Sequence, residues 1–285
     1  MKFNPIVIER KIREFIEEDC NFSDISSTTT IDDLSKSNAH ILAKSEGYIS
    51  GLEELRILYN FLKVSVEILK NDGEKAKKGD IVANLSGHTQ SILLGERTAL
   101  NLLTHMSAIT TTTRKFNEIV EESGKNVKIA CTRKTLPGLR IFEKKAVHLG
   151  GGETHRFSLD DLILLKDTHL KYYNGNVEAL LKRVKQKGSF SKKIEIEVEN
   201  VPDVVKAARN KADIIMLDNM SPDEVQKAID LLKKNKLRDN VIVEVSGGIF
   251  LENLSDYVIL EPDIISSSEI TQFPSEKLDL SLRFD

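Results

Sequence analysis

The chain has no tryptophan, two cysteines, six prolines and 6% aromatic residues, and its excess charge is small, a net −3. Each shortage excludes something. Cys20 and Cys131 are too few for a disulfide framework and have no CxxC spacing, so neither a disulfide scaffold nor a zinc module is indicated. Cys131 adjoins a basic cluster, but no dedicated base is identifiable beside it, and a buried small hydrophobe is the simpler reading than a nucleophile. The opening stretch MKFNPIVIERKIREFIEEDC alternates apolar and charged residues. It lacks the unbroken apolar core of a signal peptide and the length of a membrane span, so a cytoplasmic protein is expected. The mild acidity argues against a general affinity for nucleic acid or membranes. With 285 residues, 40% hydrophobic and 30% charged, the chain is long enough to bury a large core.

What is present is a local concentration of cations. Residues 131–169, CTRKTLPGLRIFEKKAVHLGGGETHRFSLDDLILLKDTH, gather Arg133, Lys134, His155, Arg156 and Lys166 around a triple glycine. A guanidinium grips a carboxylate or phosphate through two parallel hydrogen bonds, whereas an ammonium acts as a point charge. The set suits a small ligand with several negative groups. Surface salt bridges to Glu143, Glu153, Asp160 and Asp161 would explain any one of these residues as well, but not their common placement.

That placement emerges from the strand pattern. Short apolar runs rich in β-branched residues recur at Val127 to Ala130, Leu162 to Leu165, Ile194 to Val198, Asp213 to Leu217, Val241 to Val245 and Asp263 to Ile265. Between them Asn176 to Lys187, Val201 to Lys211 and Pro222 to Lys234 carry apolar residues at helical spacing. This is the rhythm of β/α units around a parallel sheet. The strands end on Thr132-Arg133-Lys134, on Lys166, on Glu195 and Glu197, on Asp218 and on Ser246-Gly247-Gly248. In a β/α barrel those ends share one face, where active sites form.

Each cluster carries its own chemistry. Ser246-Gly247-Gly248 after a strand offers consecutive amides for an anion. Gly150-Gly151-Gly152 would let backbone approach a ligand, or would serve a tight turn. Glu195, Glu197 and Glu199 alternate, so they should project to one face, where Mg²⁺, a sugar hydroxyl or a lysine would partner them. A structural ion pair with Lys166 is the alternative there. Lys166 alone could instead form a Schiff base, but neighbouring carboxylates would keep it charged.

The first hundred or so residues read as a separate α/β domain. It has a helix at Pro5 to Glu17, a Ser/Thr-rich turn at Ser23 to Thr30, strand-like His40 to Ala43 and Tyr48 to Ser50, a helix at Leu52 to Leu62, and a hairpin connection at Gly73 to Asp80. A long helix around Leu94 to Val120 leads onward.

Taken in order, Glu18-Asp19 with Asp24, ERTALNLL from Glu96, TRKTLPGLR from Thr132, EKKAVHLGGGETHRF from Glu143, LLKDTH from Leu164, EIEVEN from Glu195, IIMLDNMSP from Ile214, EVSGGI from Glu244 and LDLSLR from Leu278 resemble the quinolinate phosphoribosyltransferase family. The resemblance runs over nearly the whole chain. It implies an α/β fold of the type II phosphoribosyltransferase kind: an N-terminal open α/β sandwich domain, 1–108 completed by 267–285, and an incomplete β/α barrel over 109–266. It implies transfer of phosphoribosyl from phosphoribosyl pyrophosphate to quinolinate with decarboxylation, giving nicotinate mononucleotide, pyrophosphate and CO₂ on the de novo route to NAD. Quinolinate would be held by Arg133, His155, Arg156 and Lys166, with Arg97 supplied by the second subunit of a homodimer. Phosphoribosyl pyrophosphate would lie on Lys134, Lys166, Glu197, Asp218, Ser246, Gly247 and Gly248. Thr132 completes the binding set, Lys134, Lys166, Glu197 and Asp218 carry the catalysis, and Glu197 and Asp218 hold Mg²⁺. Assembly of such dimers into hexamers stays open.

The chain departs from the family pattern at four places. Thr168 stands where the family has Asn in KDNH, Ser268 where a phosphate-binding glycine is usual, Gln272 where a histidine is usual, and Ser23 where a glycine precedes Asp24. Two alternatives follow the same residues. One is a paralogue of the same fold associated with molybdenum transport, with another acceptor. The other is a non-catalytic quinolinate- or nucleotide-binding protein.

Overall fold

The computed structural model describes residues 3–285. Asn4 opens the first helix, α1 (Pro5–Asp19), by accepting the Ile6 amide on its side chain, and proline occupies the first turn, where no amide is needed. Ile8, Ile12 and Ile16 recur every four residues and form the helix's buried stripe. The expected Ser/Thr turn contains a short helix instead, α2 (Ile25–Thr30). Asp24 makes it possible: its carboxylate accepts the Ser27 amide at 3.1 Å, and Thr29 and Thr30 return their hydroxyls to carbonyls four residues back. Residues read as turn formers thus satisfy a helix terminus.

Next come β1 (Lys36–Ala43), β2 (Gly47–Tyr48), α3 (Leu52–Phe61), β3 (Ser65–Ile68), β4 (Lys75–Ala76), β5 (Ile81–His88) and the long helix α4 (Thr89–Ser123). An antiparallel sheet is ordered with the last strand, Leu280–Phe284, beside β1, then β5, then β3. The pattern did not signal β3 or β5. β3 alternates only between exposed and half-buried positions, and β5 ends in the polar run Ser86-Gly87-His88, so neither shows a clear apolar face. The Gly73 to Asp80 stretch does link the antiparallel neighbours β3 and β5, and it also carries β4, which pairs with β2.

The second part of the chain alternates β6 (Lys128–Cys131), α5 (Arg140–Leu149), β7 (Ile163–Leu165), α6 (Asp167–Tyr172), α7 (Val177–Lys187), β8 (Ile194–Val198), α8 (Val201–Arg209), β9 (Ile214–Asp218), α9 (Pro222–Lys234), β10 (Ile242–Ser246), α10 (Leu254–Val258) and β11 (Ile264–Ser267). All six strands lie within a residue or two of the expected runs. They form one parallel sheet in the order β6-β11-β10-β9-β8-β7. The outer members, β6 and β7, do not pair with each other, so the barrel is incomplete. The strands bury both faces, as parallel sheets do: four of the five residues of β9 and of β8 are buried. Ser221 caps α9 in a reciprocal box with Glu224, with Pro222 at the first helical position.

Two compact units result. One takes the chain up to Arg114 with Leu136–Gly151 and Ile270–Asp285; the other takes Lys115–Thr135 and Gly152–Glu269. The excursion Leu136–Gly151, which contains α5, therefore belongs to the first unit although it lies within the span expected for the barrel. Two features of that unit explain the assignment. Gly150 brings its backbone so close to α4 that a Cβ there would lie 2.7 Å from the Thr110 carbonyl oxygen. Lys145 reaches Glu54 at 2.7 Å and Glu53 at 2.5 Å. The first of the three glycines is thus required for packing.

Glu54 is fully buried. Burial raises its pKa against the opposing pull of Lys145, while Lys145, despite its own burial, is held above the ordinary lysine value by Glu54 and Glu53. Removing one member of such a pair leaves an uncompensated buried charge. Lys145→Ala is expected to cost about 3 kcal/mol in urea unfolding, whereas Lys44→Ala, which breaks the exposed pair with Asp279, should cost less than about 1 kcal/mol. Equal losses would refute the assignment.

Candidate active site

Six parallel strands place their C-terminal ends on one rim, and a cavity of about 420 Å³ opens there. Thr132, Arg133 and Lys134 follow β6, Lys166 follows β7, Glu197 is the penultimate residue of β8, Asp218 and Ser246 end β9 and β10, and Gly247 and Gly248 come directly after. His155 and Arg156 arrive by another route. After Gly152 the chain runs parallel to the free edge of β6, with the Glu153 amide donating to Ile129 O at 2.8 Å and the Cys131 amide to Glu153 O at 3.0 Å. His155 then takes a left-handed backbone, φ 48°.

Every expected site residue except Arg97 lines this cavity, together with Cys131, Leu164, Met216, Asn219, Glu244 and Ser266. Arg97 is exposed on α4 in the other unit. There its neighbour Thr98, with Glu18, Asp19, Asn101 and His105, lines a separate cavity of about 410 Å³.

Arg133 and Arg156 decide the electrostatics. Among the described residues neither forms an ion pair, although the charges of Glu195, Glu197 and Asp161 reach Arg156; the four acids expected as surface partners have contacts of their own. Glu143 accepts from His105 at 2.9 Å, Glu153 pairs with Lys128 at 2.9 Å, Asp161 accepts the Phe157 amide at 2.6 Å, and Asp160 accepts from the Ser158 hydroxyl. Arg133 Nε is buried without a hydrogen-bond partner. Arg156 is 8% exposed, and burial followed by the neighbouring Arg133 charge pushes its pKa down. Two guanidiniums held together in this way call for an anion.

Opposite them, Lys166 bonds Glu197 at 2.6 Å, so the ion pair weighed for Lys166 forms with this glutamate. Burial chiefly, and Asp218 in part, raise the Glu197 pKa against the pull of Lys166. That repulsion between two carboxylates on adjacent strands is what a divalent cation relieves, and their hard oxygens are the donors Mg²⁺ takes beside substrate phosphates; the residues fit the ion. Glu199 departs from expectation. It lies beyond the end of β8, exposed, and does not line the cavity, because the strand's alternation stops at Val198.

The phosphate-type loop is built around Asn219, which sequence reasoning left out. Asn219 adopts φ 55°, donates its amide to Ser246 O at 2.8 Å and its side-chain Nδ2 to Asp218 at 3.0 Å. Gly247, at φ 90°, packs so tightly on it that a Cβ would lie 2.8 Å from the Asn219 nitrogen. The signal was present in LDN, since asparagine tolerates the left-handed region. Ser268 does not have a positive φ, so its Cβ introduces no backbone strain where the family has glycine. In KDTH, Thr168 is exposed while His169 Nδ1 accepts the Lys166 amide at 2.9 Å, fixing the turn independently of the substituted residue. Cys131 is fully buried and its thiol donates to Thr154 O at 3.3 Å, in keeping with a core residue.

The family model for the quinolinate phosphoribosyl transferase C-terminal domain matches residues 109–283, and that for its N-terminal domain matches 24–107. The chain belongs to the quinolinate phosphoribosyltransferase family. It is 42% identical over 271 residues to a probable carboxylating nicotinate-nucleotide pyrophosphorylase of Methanothermobacter thermautotrophicus, covering 95% of this chain and 96% of that one. It is 32% identical to the human nicotinate-nucleotide pyrophosphorylase, covering 98% and 92%. Among solved structures, the nicotinate-nucleotide pyrophosphorylase of Francisella tularensis superposes with a TM-score of 0.90 at 31% identity, covering 100% and 98%. A Pyrococcus furiosus structure at 16% identity and a TM-score of 0.72 shares the fold.

In the wall of the cavity His155 Nε2 lies 3.3 Å from both Glu195 and Glu244. Burial works against the ring's charge, but the two carboxylates outweigh it and raise its pKa to about 9. The folded value lies above the ordinary 6.5, so the cluster's stabilisation is complete below about pH 6.5 and fades as pH rises through about 9. In a proton NMR titration the His155 ring should stay charged at pH 7.5 and lose its proton near pH 9. A midpoint below 7 would contradict the ion-pair assignment.

Proposed function

We propose that this chain transfers the phosphoribosyl group of phosphoribosyl pyrophosphate to quinolinate and decarboxylates the product, yielding nicotinate mononucleotide, pyrophosphate and CO₂. The observation that carries the reading is the pair Arg133 and Arg156, brought together at the barrel rim and engaged in no ion pair among the described residues, with Glu195, Glu197 and Asp161 offsetting the Arg156 charge only in part. Quinolinate, a pyridine with two neighbouring carboxylates, meets that demand through Arg133, Arg156, His155 and Lys166, with Thr132 beside them. The relatives' names support the same reaction.

Phosphoribosyl pyrophosphate occupies the other side, on Lys134, Lys166, Glu197, Asp218 and the Ser246-Gly247-Gly248 amides. As the bond from ribose C1 to pyrophosphate loosens, positive charge develops on the sugar, and the Glu197 and Asp218 carboxylates stabilise it. Lys134 and Lys166 stabilise the departing pyrophosphate. Held by Glu197 and Asp218, Mg²⁺ would neutralise further charge on that leaving group. The pyridine nitrogen forms the new bond to C1. The ring is then cationic, so the adjacent carboxylate leaves as CO₂, its bonding electrons are stabilised by the ring nitrogen, and the vacated carbon takes up a proton. The protein's contribution is alignment and charge.

The reading includes a homodimer in which Arg97 of a second copy reaches this site; Arg97 is exposed on α4, as that role requires. No helix among the described residues is long and apolar enough to cross a membrane, and a cytoplasmic location is part of the proposal.

Purified protein with quinolinate, phosphoribosyl pyrophosphate and Mg²⁺ should give nicotinate mononucleotide and CO₂ in equal amounts. Nicotinate in place of quinolinate should give none, and chelation should abolish turnover until Mg²⁺ is restored. Arg133→Ala should lower kcat/KM for quinolinate about 100-fold, equivalent to ~2.7 kcal/mol. Binding of phosphoribosyl pyrophosphate without turnover of quinolinate would point to the paralogue with another acceptor.

A further inference from the structure

β8 and β10 each bury a glutamate completely, Glu195 and Glu244. Neither is needed to contact a substrate in the reading above, and neither has a hydrogen-bond partner at either carboxylate oxygen. Among the described residues the one cation within ion-pair distance of both is His155, equidistant at 3.3 Å. A single N–H cannot align with two acceptors at once, so charge rather than directional hydrogen bonding holds the ring between them. The three ligand-type atoms lie within 4.8 Å of one another, a spacing that a metal site shares, but the imidazole already closes the cluster as an ion pair.

The arrangement is costly for a purely structural element. Two carboxylates are taken out of water, at several kcal/mol per ion after relaxation, to hold one ring. That ring is carried on a left-handed backbone, which an L-residue other than glycine adopts at a cost of ~1 kcal/mol or more. Hydrophobic side chains would fill the same volume more stably. What the cluster achieves is a fixed imidazole at the wall of the cavity, beside Arg156 and on the side assigned to the acceptor.

We propose that Glu195 and Glu244 are positioning residues for acceptor binding: acting through His155, they set the affinity for quinolinate and leave that for phosphoribosyl pyrophosphate unchanged. The proposal rests on the reading that His155 contacts quinolinate. The contacts on the phosphoribosyl side, Lys166 to Glu197 and Asn219 to Asp218 and Ser246, do not involve Glu244 or His155, which is why the two affinities separate.

Glu244→Gln keeps the volume and removes the charge. Its KM for quinolinate should rise about 10-fold or more while its KM for phosphoribosyl pyrophosphate stays within about 2-fold of the parent, and Glu244→Asp should recover part of the loss. Glu195→Gln should raise the quinolinate KM as well, part of the effect running through Arg156, which the Glu195 charge also reaches. The decisive measurement is the cycle with His155→Gln: in that background Glu244→Gln should add almost nothing to the quinolinate KM. An equal effect in both backgrounds, or equal shifts in both substrates' KM, would overturn the proposal. Should the glutamate variants fail to fold, the unaltered protein decides: quinolinate alone should shift the His155 ring resonances and phosphoribosyl pyrophosphate alone should not, and the opposite pattern refutes it. Failure of the parent enzyme to turn over quinolinate is a different result, and it would refute the reaction itself.

Discussion

Two guanidiniums held side by side, neither in an ion pair among the described residues, are the constraint around which this barrel is arranged. Arg133 and Arg156 repel each other, and burial of Arg156 sharpens that repulsion. A fold keeps such a pair only if the backbone that carries it is rigid. Arg133 leaves the end of β6, and Arg156 leaves the segment hydrogen-bonded along the free edge of the same strand. β6 therefore anchors both, one following its end and the other following the segment bonded along its edge. Within the same unit, Glu153 is bonded to Lys128 and Asp161 accepts the Phe157 amide. Glu195, Glu197 and Asp161 offset the Arg156 charge in part, without forming an ion pair with it.

The side of the cavity assigned to phosphoribosyl pyrophosphate mixes charges of both signs. Two carboxylates, Glu197 and Asp218, meet there on adjacent strands, with Lys166 bonded to Glu197 and Asn219 to Asp218. A pocket with paired guanidiniums in one part and carboxylates interleaved with ammonium groups in another cannot be satisfied by one simple anion. It suits a pair of ligands, one a polyanion and the other bringing a cation or developing positive charge. An acceptor dicarboxylate facing a sugar that becomes cationic as it loses pyrophosphate meets both requirements, and the charge distribution thus favours transfer between two substrates over mere binding of one.

Much of this could be read from the chain. The six parallel strands were legible because each is a short, nearly continuous apolar run, and because their polar residues fall at the C-terminal ends, a polarity that the β/α barrel turns into proximity. The cavity residues at strand ends followed from that rule, whereas His155 and Arg156 reach the cavity on the segment that runs along the edge of β6. What could not be read has specific causes. β3 and β5 lack a sharply alternating face; α2 is made of residues that serve turns and caps equally well. The detachment of Leu136–Gly151 depends on Lys145 meeting Glu54 across some ninety positions of sequence, and no local pattern encodes a pairing of that kind. Asn219 escaped because its function lies in its backbone angle, not in its chemistry.

The substituted positions show which family features are geometric and which are chemical. Gly247 cannot change, since both its φ of 90° and the proximity of Asn219 exclude a Cβ. Ser268 occupies a position where the family commonly has glycine, yet its backbone does not have a positive φ, so nothing in the local conformation demands glycine. Thr168 replaces asparagine on an exposed face of α6, while the turn it belongs to is closed by His169 accepting the Lys166 amide. In each case the residue that is free to vary is one whose neighbours already fix the backbone. The constraint resides in the main-chain contacts of the rim, and side chains are restricted only where they complete a contact that the main chain cannot make.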